Sequence, residues 1–282
     1  MTAITDARPS SPARASTPPP PYRVTGRRVL RSEWAKLWSL RSTWITLVVG
    51  VVAMIAFGSI AAARYKYMTG SGQHMDPDFA DATAVSLTLF GVTFGQLALG
   101  VLGVLFTAGE YSTGMIRSTL AAVPRRLPVL WSKAAAYGMV AFVVGTVAAL
   151  GGFLIADTVV SGTAAHLSLS GPGVLRSLLG AGVYLGLVGV IGVALGAVLR
   201  SVAGGISVLV AGLMLIPGLL SLLPTVWRND ITPYLPSNAG EAIFTLHRTA
   251  GMLSPGNGVL VLLAWTVLAL GGAARRLVRS DA

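Results

Sequence analysis

The side chains that could carry out chemistry are few in this sequence, and they avoid its most apolar segments. The chain has ten carboxylates, three histidines and no cysteine among 282 residues. Without cysteine there are no disulfides, thiolate nucleophiles or thiolate metal ligands. His74, His166 and His247 lie in polar segments, and no Gly-Lys-Ser/Thr phosphate loop is present. We therefore predict no catalytic, cofactor-binding or metal-binding residues, and a protein that is not an enzyme.

The composition indicates a membrane protein. Hydrophobic residues make up 54% of the chain and charged residues only 11%, whereas soluble domains carry roughly 25% charged residues. Six stretches contain no Asp, Glu, Lys or Arg: 44–63, 84–108, 134–156, 177–199, 202–223 and 258–274. A helix needs about 20 apolar residues to cross a bilayer, and none of these stretches alternates as barrel strands do. The predicted fold is an all-α polytopic membrane protein with six transmembrane helices.

The polar residues of the predicted spans are all uncharged, and they include one glutamine, Gln96. Transporters driven by ion gradients, pumps and voltage sensors carry ionisable residues within the membrane. We therefore expect any uphill transport to take its energy from another chain.

The net charge of +11 is divided unevenly between the two sides that six spans define. Segments 1–43, 109–133, 200–201 and 275–282 share one side and hold 16 of the 21 Lys and Arg residues. Because basic residues that flank spans stay in the cytoplasm, both termini are predicted to be cytoplasmic. An excess of arginine over lysine, 18 to 3, fits GC-rich DNA and a bacterial source. The expected location is the bacterial plasma (inner) membrane. The positive charge thus reflects topology, and no nucleic-acid partner is predicted.

Three regions follow one another along the chain. Residues 1–28, rich in Pro, Ser, Thr and Arg, are expected to form a disordered cytoplasmic tail. Residues 29–276 form a single transmembrane domain, and residues 277–282 form a short cytoplasmic C-terminus.

Residues 29–42 have the pattern of a helix that lies in the membrane interface. One face is apolar: Leu30, Trp34, Leu37 and Trp38. The remaining positions carry charge: Arg31, Glu33, Lys36 and Arg41. Because tryptophan favours the interface, this helix is predicted to lie in the headgroup plane and contact the lipid bilayer. Alternatively, it only anchors the first span.

The loop between the second and third spans contains another amphipathic pattern. It reads GEYSTGMIRSTLAAVPRR, residues 109–126. Ser112 or Thr113 is expected to cap a short helix, and Pro124 to end it. One face of that helix is apolar: Ile116, Leu120 and Val123. Such a helix suits contact with a cytosolic partner, although it could instead pack on the lipid surface.

The order of these elements resembles the permease subunits of ABC-2 type transporters over residues 29–276. An interfacial Ser-Glu-Trp-x-Lys-Leu helix precedes the first span, and the loop described above follows the second. Only Arg200-Ser201 separates spans four and five, and segment 224–257 fits the external re-entrant helices of that family. Within this segment, a turn over 235–240 and a helix from Glu241 are expected.

The resemblance implies a function. In that family the first helix is the elbow helix, and the loop holds a coupling helix that docks on a separate ATPase. The implied elbow residues are Leu30, Glu33, Trp34, Lys36, Leu37 and Trp38. The implied coupling residues are Glu110, Thr113, Ile116, Arg117, Leu120 and Val123. Glu110 is expected to fix the coupling helix against neighbouring spans, through Arg117 or through a residue of the elbow helix.

The implied protein is one half of a dimer, either a homodimer or a pair with a paralogous permease. It would export a lipophilic or amphipathic substrate by means of a cytosolic ABC ATPase subunit. The alternative is a non-transporting membrane scaffold, assembly factor or immunity factor with the same fold.

Small residues recur at helical spacing in two spans: Gly91 and Gly95, then Gly182, Gly186, Gly189 and Gly196. Such residues let helices approach closely, either within one subunit or at a homodimer seam. Pro217 is expected to kink the fifth span.

The predicted topology can be tested by labelling, because the chain contains no native cysteine. A single cysteine in place of Ser161 should react with an impermeant maleimide added outside the cell. A cysteine in place of Arg125 should react only after the membrane is permeabilised, as the distribution of basic residues requires. Labelling of position 125 from outside would contradict the topology.

Overall fold

The computed structural model describes residues 25–39, 41–71, 79, 81–123, 126–222, 224–249 and 251–279. Within these ranges the α-helices are α1 (Gly26–Ser39), α2 (Arg41–Ser71), α3 (Ala84–Leu89), α4 (Val92–Ser112), α5 (Met115–Ala122), α6 (Arg126–Val159), α7 (Val174–Leu199), α8 (Val202–Val210), α9 (Ile216–Leu220), α10 (Thr225–Ile231), α11 (Pro236–Phe244) and α12 (Pro255–Arg279). No strand occurs among the described residues. Most of the tail predicted over residues 1–28 lies outside the described residues. Residues 26–28 of that predicted tail are helical, because α1 begins at Gly26.

Six stretches of helix within the described ranges are long and apolar enough to cross a membrane, which confirms the multi-pass prediction. Four are the single helices α2, α6, α7 and α12. The second crossing combines α3 and α4, with a break at Phe90 and Gly91. The fifth combines α8, a π-helical turn at Ala211–Leu215 and α9.

One end of the bundle holds α1 and α5, and we call it the basic end. The crossings run alternately toward and away from it, so α4, α7 and α12 finish there while α2, α6 and α8 start there. Arg200, directly after α7, stacks over the ring of Tyr111 at 5.1 Å. Arg126 at the start of α6 donates a hydrogen bond to the carbonyl of Leu277 near the end of α12.

The opposite end, here called the far end, holds the loop between α6 and α7 and the helices α10 and α11. The amide of Ala84 donates to the carbonyl of Ala165, which ties α3 to the loop after α6. Arg176 donates to the carbonyl of Ile243 in α11. The turn predicted over residues 235–240 is wrong, because α11 already begins at Pro236. Proline suits the first helical position, where a missing N–H costs nothing and its φ is already helical.

Glycine allows the central helices to pack closely. α7 has its most extensive contacts with α4 and α6. A Cβ on Gly192 would lie 2.3 Å from the carbonyl oxygen of Gly100, and a Cβ on Gly91 would lie 2.0 Å from the carbonyl oxygen of Met54. Only a hydrogen fits at such contacts. The recurring glycines therefore pack helices inside one chain, which favours the first of the two alternatives left open by the sequence.

Pro217 lies in α9, directly after the π-helical turn. Ile216 donates its amide hydrogen to the carbonyl of Ala211, five residues earlier. Proline has no N–H and crowds the carbonyl four residues before it. The predicted disturbance of the fifth span by Pro217 therefore takes the form of a wider, π-helical turn directly before the proline.

Candidate functional site

Four charged side chains meet at the basic end, and three of them are almost completely shielded from water. Glu33 and Lys36 come from α1, Glu110 from the last turn of α4, and Lys133 from the second turn of α6. Glu33 is 0% exposed, Lys133 2% and Glu110 4%, while Lys36 retains some contact with solvent at 23%. Burial of unpaired charge is very costly in proteins, so the arrangement of these four groups decides whether they can remain ionised.

The four groups form a closed ring of alternating charge, which we call the charge ring. Lys36 Nζ lies 2.7 Å from Glu33 Oε1 and 3.0 Å from Glu110 Oε1. Lys133 Nζ lies 2.6 Å from Glu33 Oε2 and 3.0 Å from Glu110 Oε1. Each ammonium therefore contacts both carboxylates, and the net charge of the ring is zero. Lys133 Nζ also lies 3.9 Å from the centre of the Phe106 ring, a favourable cation–π distance.

α1 turns toward the bundle a face that combines one carboxylate with apolar residues. Glu33 is buried together with Val29 and Leu37, whereas Leu30 is 40% exposed and Trp34 42%. The sequence places Glu33 and Lys36 outside the apolar face of this helix, but the structure buries Glu33 together with Leu37, a member of that face, and leaves Lys36 partly exposed. Lipid tails are about as apolar as leucine, so apolar side chains lose little by facing lipid. A carboxylate at this depth needs cationic partners. Lys36 of the same helix supplies one, and Lys133 of the bundle supplies the other.

The short helix α5 is attached to the charge ring through one hydroxyl. Lys36 Nζ donates a hydrogen bond to Thr119 Oγ1 at 3.1 Å. Ile116 is buried, and Leu120 and Val123 are half-buried, so the apolar face of α5 is directed toward its own chain. Met115, Arg117 and other residues of the opposite face are exposed.

The start of α5 differs from the sequence-based expectation. Neither Ser112 nor Thr113 caps the helix, because both hydroxyls donate to the carbonyl of Gly109 at the end of α4. Gly114 is the N-cap and has a φ of +74°, a conformation that glycine adopts without strain. The helix ends at Ala122, and Pro124 lies outside the described residues.

Glu110 contacts a residue of α1, one of the two partners considered from sequence. Its pair with Lys36 joins α4 to α1, and among the described residues it forms no ion pair with Arg117. Its second partner, Lys133, was missed by sequence reasoning. Lys133 directly precedes the uncharged stretch 134–156. A charge so close to a predicted span was the available sign that it needs a buried partner.

The charge of Lys36 is stable over a wide pH range. Burial alone would lower its pKa, but hydrogen bonds and attraction from Glu33 and Glu110 outweigh burial and raise the pKa. A raised folded-state pKa means that this charge stabilises the fold fully below the unfolded lysine pKa of about 10.4. The stabilisation is lost only as the pH rises through the higher, folded-state value. Lys36 is therefore charged at neutral pH.

A second polar site lies at the far end. A cavity of about 310 Å³ is lined by Gln96, Tyr184 and Glu241 among other residues. The hydroxyl of Tyr184 donates to Gln96 Oε1. Partial burial raises the pKa of Glu241. Among the described residues, no group of three or more His, Asp or Glu side chains could hold a metal ion.

No protein-family model matches the chain, and no curated protein sequence matches it either.

The charge ring predicts a strong dependence of stability on Lys133. Lys133→Met leaves two buried carboxylates with a single ammonium, and removing one partner of a buried ion pair costs about 3–5 kcal/mol. The unfolding temperature of the detergent-purified protein should fall by roughly 10 °C. Lys66→Met, which removes an exposed lysine, should leave the unfolding temperature within about 2 °C.

The ring also predicts that two substitutions will not be additive. In the double variant Lys133→Met with Glu110→Gln, Lys36 and Glu33 still form a neutral pair. Its unfolding temperature should therefore be no lower than that of Lys133→Met alone. Additive losses would contradict a coupled ring.

Proposed function

We propose that this protein is the membrane-spanning subunit of an ATP-driven exporter similar to ABC-2 type permeases. A separate cytosolic ATPase would hydrolyse ATP. The order of elements supports this proposal: an amphipathic helix before the first crossing, a short helix between the second and third, and short helices between the last two. In this interpretation α1 is the elbow helix, α5 is the coupling helix, and the basic end faces the cytoplasm.

The observation that carries the proposal is the charge ring. It joins α1, α4 and α6, and through Thr119 it also holds α5. Well-packed apolar residues of similar size would often give equal or greater stability than a buried ion network. The burial of three charged groups and the partial burial of a fourth therefore indicate a role other than stability, in a chain whose predicted spans are otherwise uncharged. Rigid attachment of two surface helices to the spans is such a reason, since it transmits displacement.

The proposed mechanism follows from this attachment. When ATP binding closes the two ATPase subunits, each would push on an exposed α5. Because Ile116 is buried and Thr119 is bonded to Lys36, α5 would not slide independently of the bundle. The displacement would pass as a rigid-body motion to α1, α4 and α6, and so to the substrate path between two copies of the subunit or between this chain and a paralogue.

The structure changes which side of α5 we assign to the ATPase. The apolar face was expected to dock on the partner, but its most buried member, Ile116, is enclosed by its own chain. We therefore assign the contact to the opposite face, where Met115 is 40% exposed and Arg117 lies beside it. Glu110 and Ile116 would act by positioning the helix, without contacting the partner.

The proposed substrate remains lipophilic or amphipathic. The crossings are apolar, and the cavity lined by Gln96 and Tyr184 offers polar groups at the far end. The cavity would suit the polar part of such a molecule during release.

The proposal is tested by the ATPase that co-purifies with the chain. A Walker-type ATPase should be retained by the wild-type protein in its native host. Met115→Asp should reduce that retention at least tenfold, because truncating an interface anchor costs about 2 kcal/mol or more. The unfolding temperature should not change, since Met115 is exposed in the isolated chain.

Val278→Asp provides the matched control, because Val278 is also an exposed apolar residue at the basic end. This variant should retain the ATPase at the wild-type level. Absence of any co-purifying ATPase, or equal retention by Met115→Asp and wild type, would contradict the proposal.

A further inference from the structure

A groove between α1 and α6 combines an apolar wall with three arginines. Its volume is about 880 Å³, which makes it larger than the cavity lined by Gln96 and Tyr184 at the far end. Arg27, Arg28 and Arg31 line it on the α1 side. The three arginines therefore concentrate positive charge along one edge of this groove.

No acidic residue lines the groove among the described residues. α1 carries one carboxylate, Glu33. It is buried in the charge ring, where each of its two oxygens lies beside a lysine. Arg27 and Arg31 thus give the α1 edge of the groove a positive charge. Arginine forms paired hydrogen bonds with phosphate oxygens in a geometry that lysine cannot reproduce.

The rest of the groove is apolar. Leu30 and Trp34 line it from α1, and Ala135, Ala136 and Met139 line it from α6. Met139 is 58% exposed and lies on a membrane-crossing helix, so this wall is open to the lipid. Trp34 has the preference of tryptophan for the headgroup level. The groove therefore presents cations and a hydrocarbon surface to the same molecule.

We propose that this groove binds an anionic phospholipid, with its phosphate between the arginines and an acyl chain along Leu30 and Met139. The charge favours an anionic headgroup over a zwitterionic one, and the open apolar wall favours an acyl chain over a water-soluble anion. Basic pockets beside membrane helices bind such headgroups. The site is distinct from the charge ring, and its occupancy does not require an ATPase.

The test is lipid binding by the full-length purified protein, measured by native mass spectrometry. The probes are dioleoyl phosphatidylglycerol and dioleoyl phosphatidylcholine, which share acyl chains and differ in net charge. Phosphatidylglycerol should bind at least tenfold more tightly. Because each arginine near an anionic lipid contributes about fivefold, Arg27→Glu with Arg31→Glu should remove this preference.

Two further variants distinguish lipid binding in the groove from a general effect of positive charge and from simple phosphate binding. Arg275→Glu with Arg279→Glu makes the same charge change at exposed positions of α12 and should keep the preference. Met139→Trp keeps the arginines but fills the apolar wall, and it should weaken phosphatidylglycerol binding several-fold. Millimolar inorganic phosphate should not displace the lipid.

Three results would overturn the proposal. The first is equal binding of both lipids by the wild-type chain, as expected if another segment or a partner occupies the groove. The second is equal loss of preference in the two double-arginine variants. The third is displacement of the lipid by inorganic phosphate together with unchanged phosphatidylglycerol binding in Met139→Trp, as expected for a simple anion site. None of these measurements involves an ATPase, so they fail or succeed independently of the proposed function.

Discussion

Four charged groups with little access to water can remain ionised only while they stay together, and the basic end of the molecule is arranged around this requirement. Glu33, Lys36, Glu110 and Lys133 come from three helices that are far apart in sequence. Separating α4 or α6 from the other two helices would leave Glu110 or Lys133 without a partner in an apolar environment. Separating α1 would break the ring into two smaller pairs, Glu33 with Lys36 and Glu110 with Lys133. The ring therefore opposes independent motion of α1, α4 and α6 more effectively than apolar contacts, which can slide at small cost.

Other features of the basic end follow from the same constraint. Because Glu33 must face the bundle, the neighbouring side of α1 turns outward and carries Trp34 and the arginines to the lipid. The groove between α1 and α6 is a consequence of this orientation. Lys36 also donates a hydrogen bond to Thr119, so α5, which lies in the loop between the second and third crossings, is fixed to the same unit. Away from this end, the bundle depends on close helix contacts such as Gly192 on Gly100.

The sequence predicts the crossings well because each is a long uncharged run, and membrane length alone selects such runs. It also locates both short amphipathic helices. It does not predict which face of α1 is buried. Periodicity distinguishes an apolar face from a polar one, but it does not tell whether the apolar face contacts lipid or protein. Glu33 is buried by pairing with Lys133, a contact that no local pattern encodes. The cap of α5 was similarly missed, because Gly114 acts through its backbone conformation and not through a side-chain oxygen.

The central claim is that the charge ring makes α1 and α5 one rigid unit. Spin labels on cysteines in place of Ala35 and Ser118, both exposed positions, would report the distance between these helices by pulsed electron paramagnetic resonance. We expect a single narrow distance distribution that stays the same when the proposed ATPase partner binds and traps ATP. In a Glu110→Gln background the distribution should broaden. A broad distribution with the ring intact, or an unchanged narrow one in the Glu110→Gln background, would contradict the account.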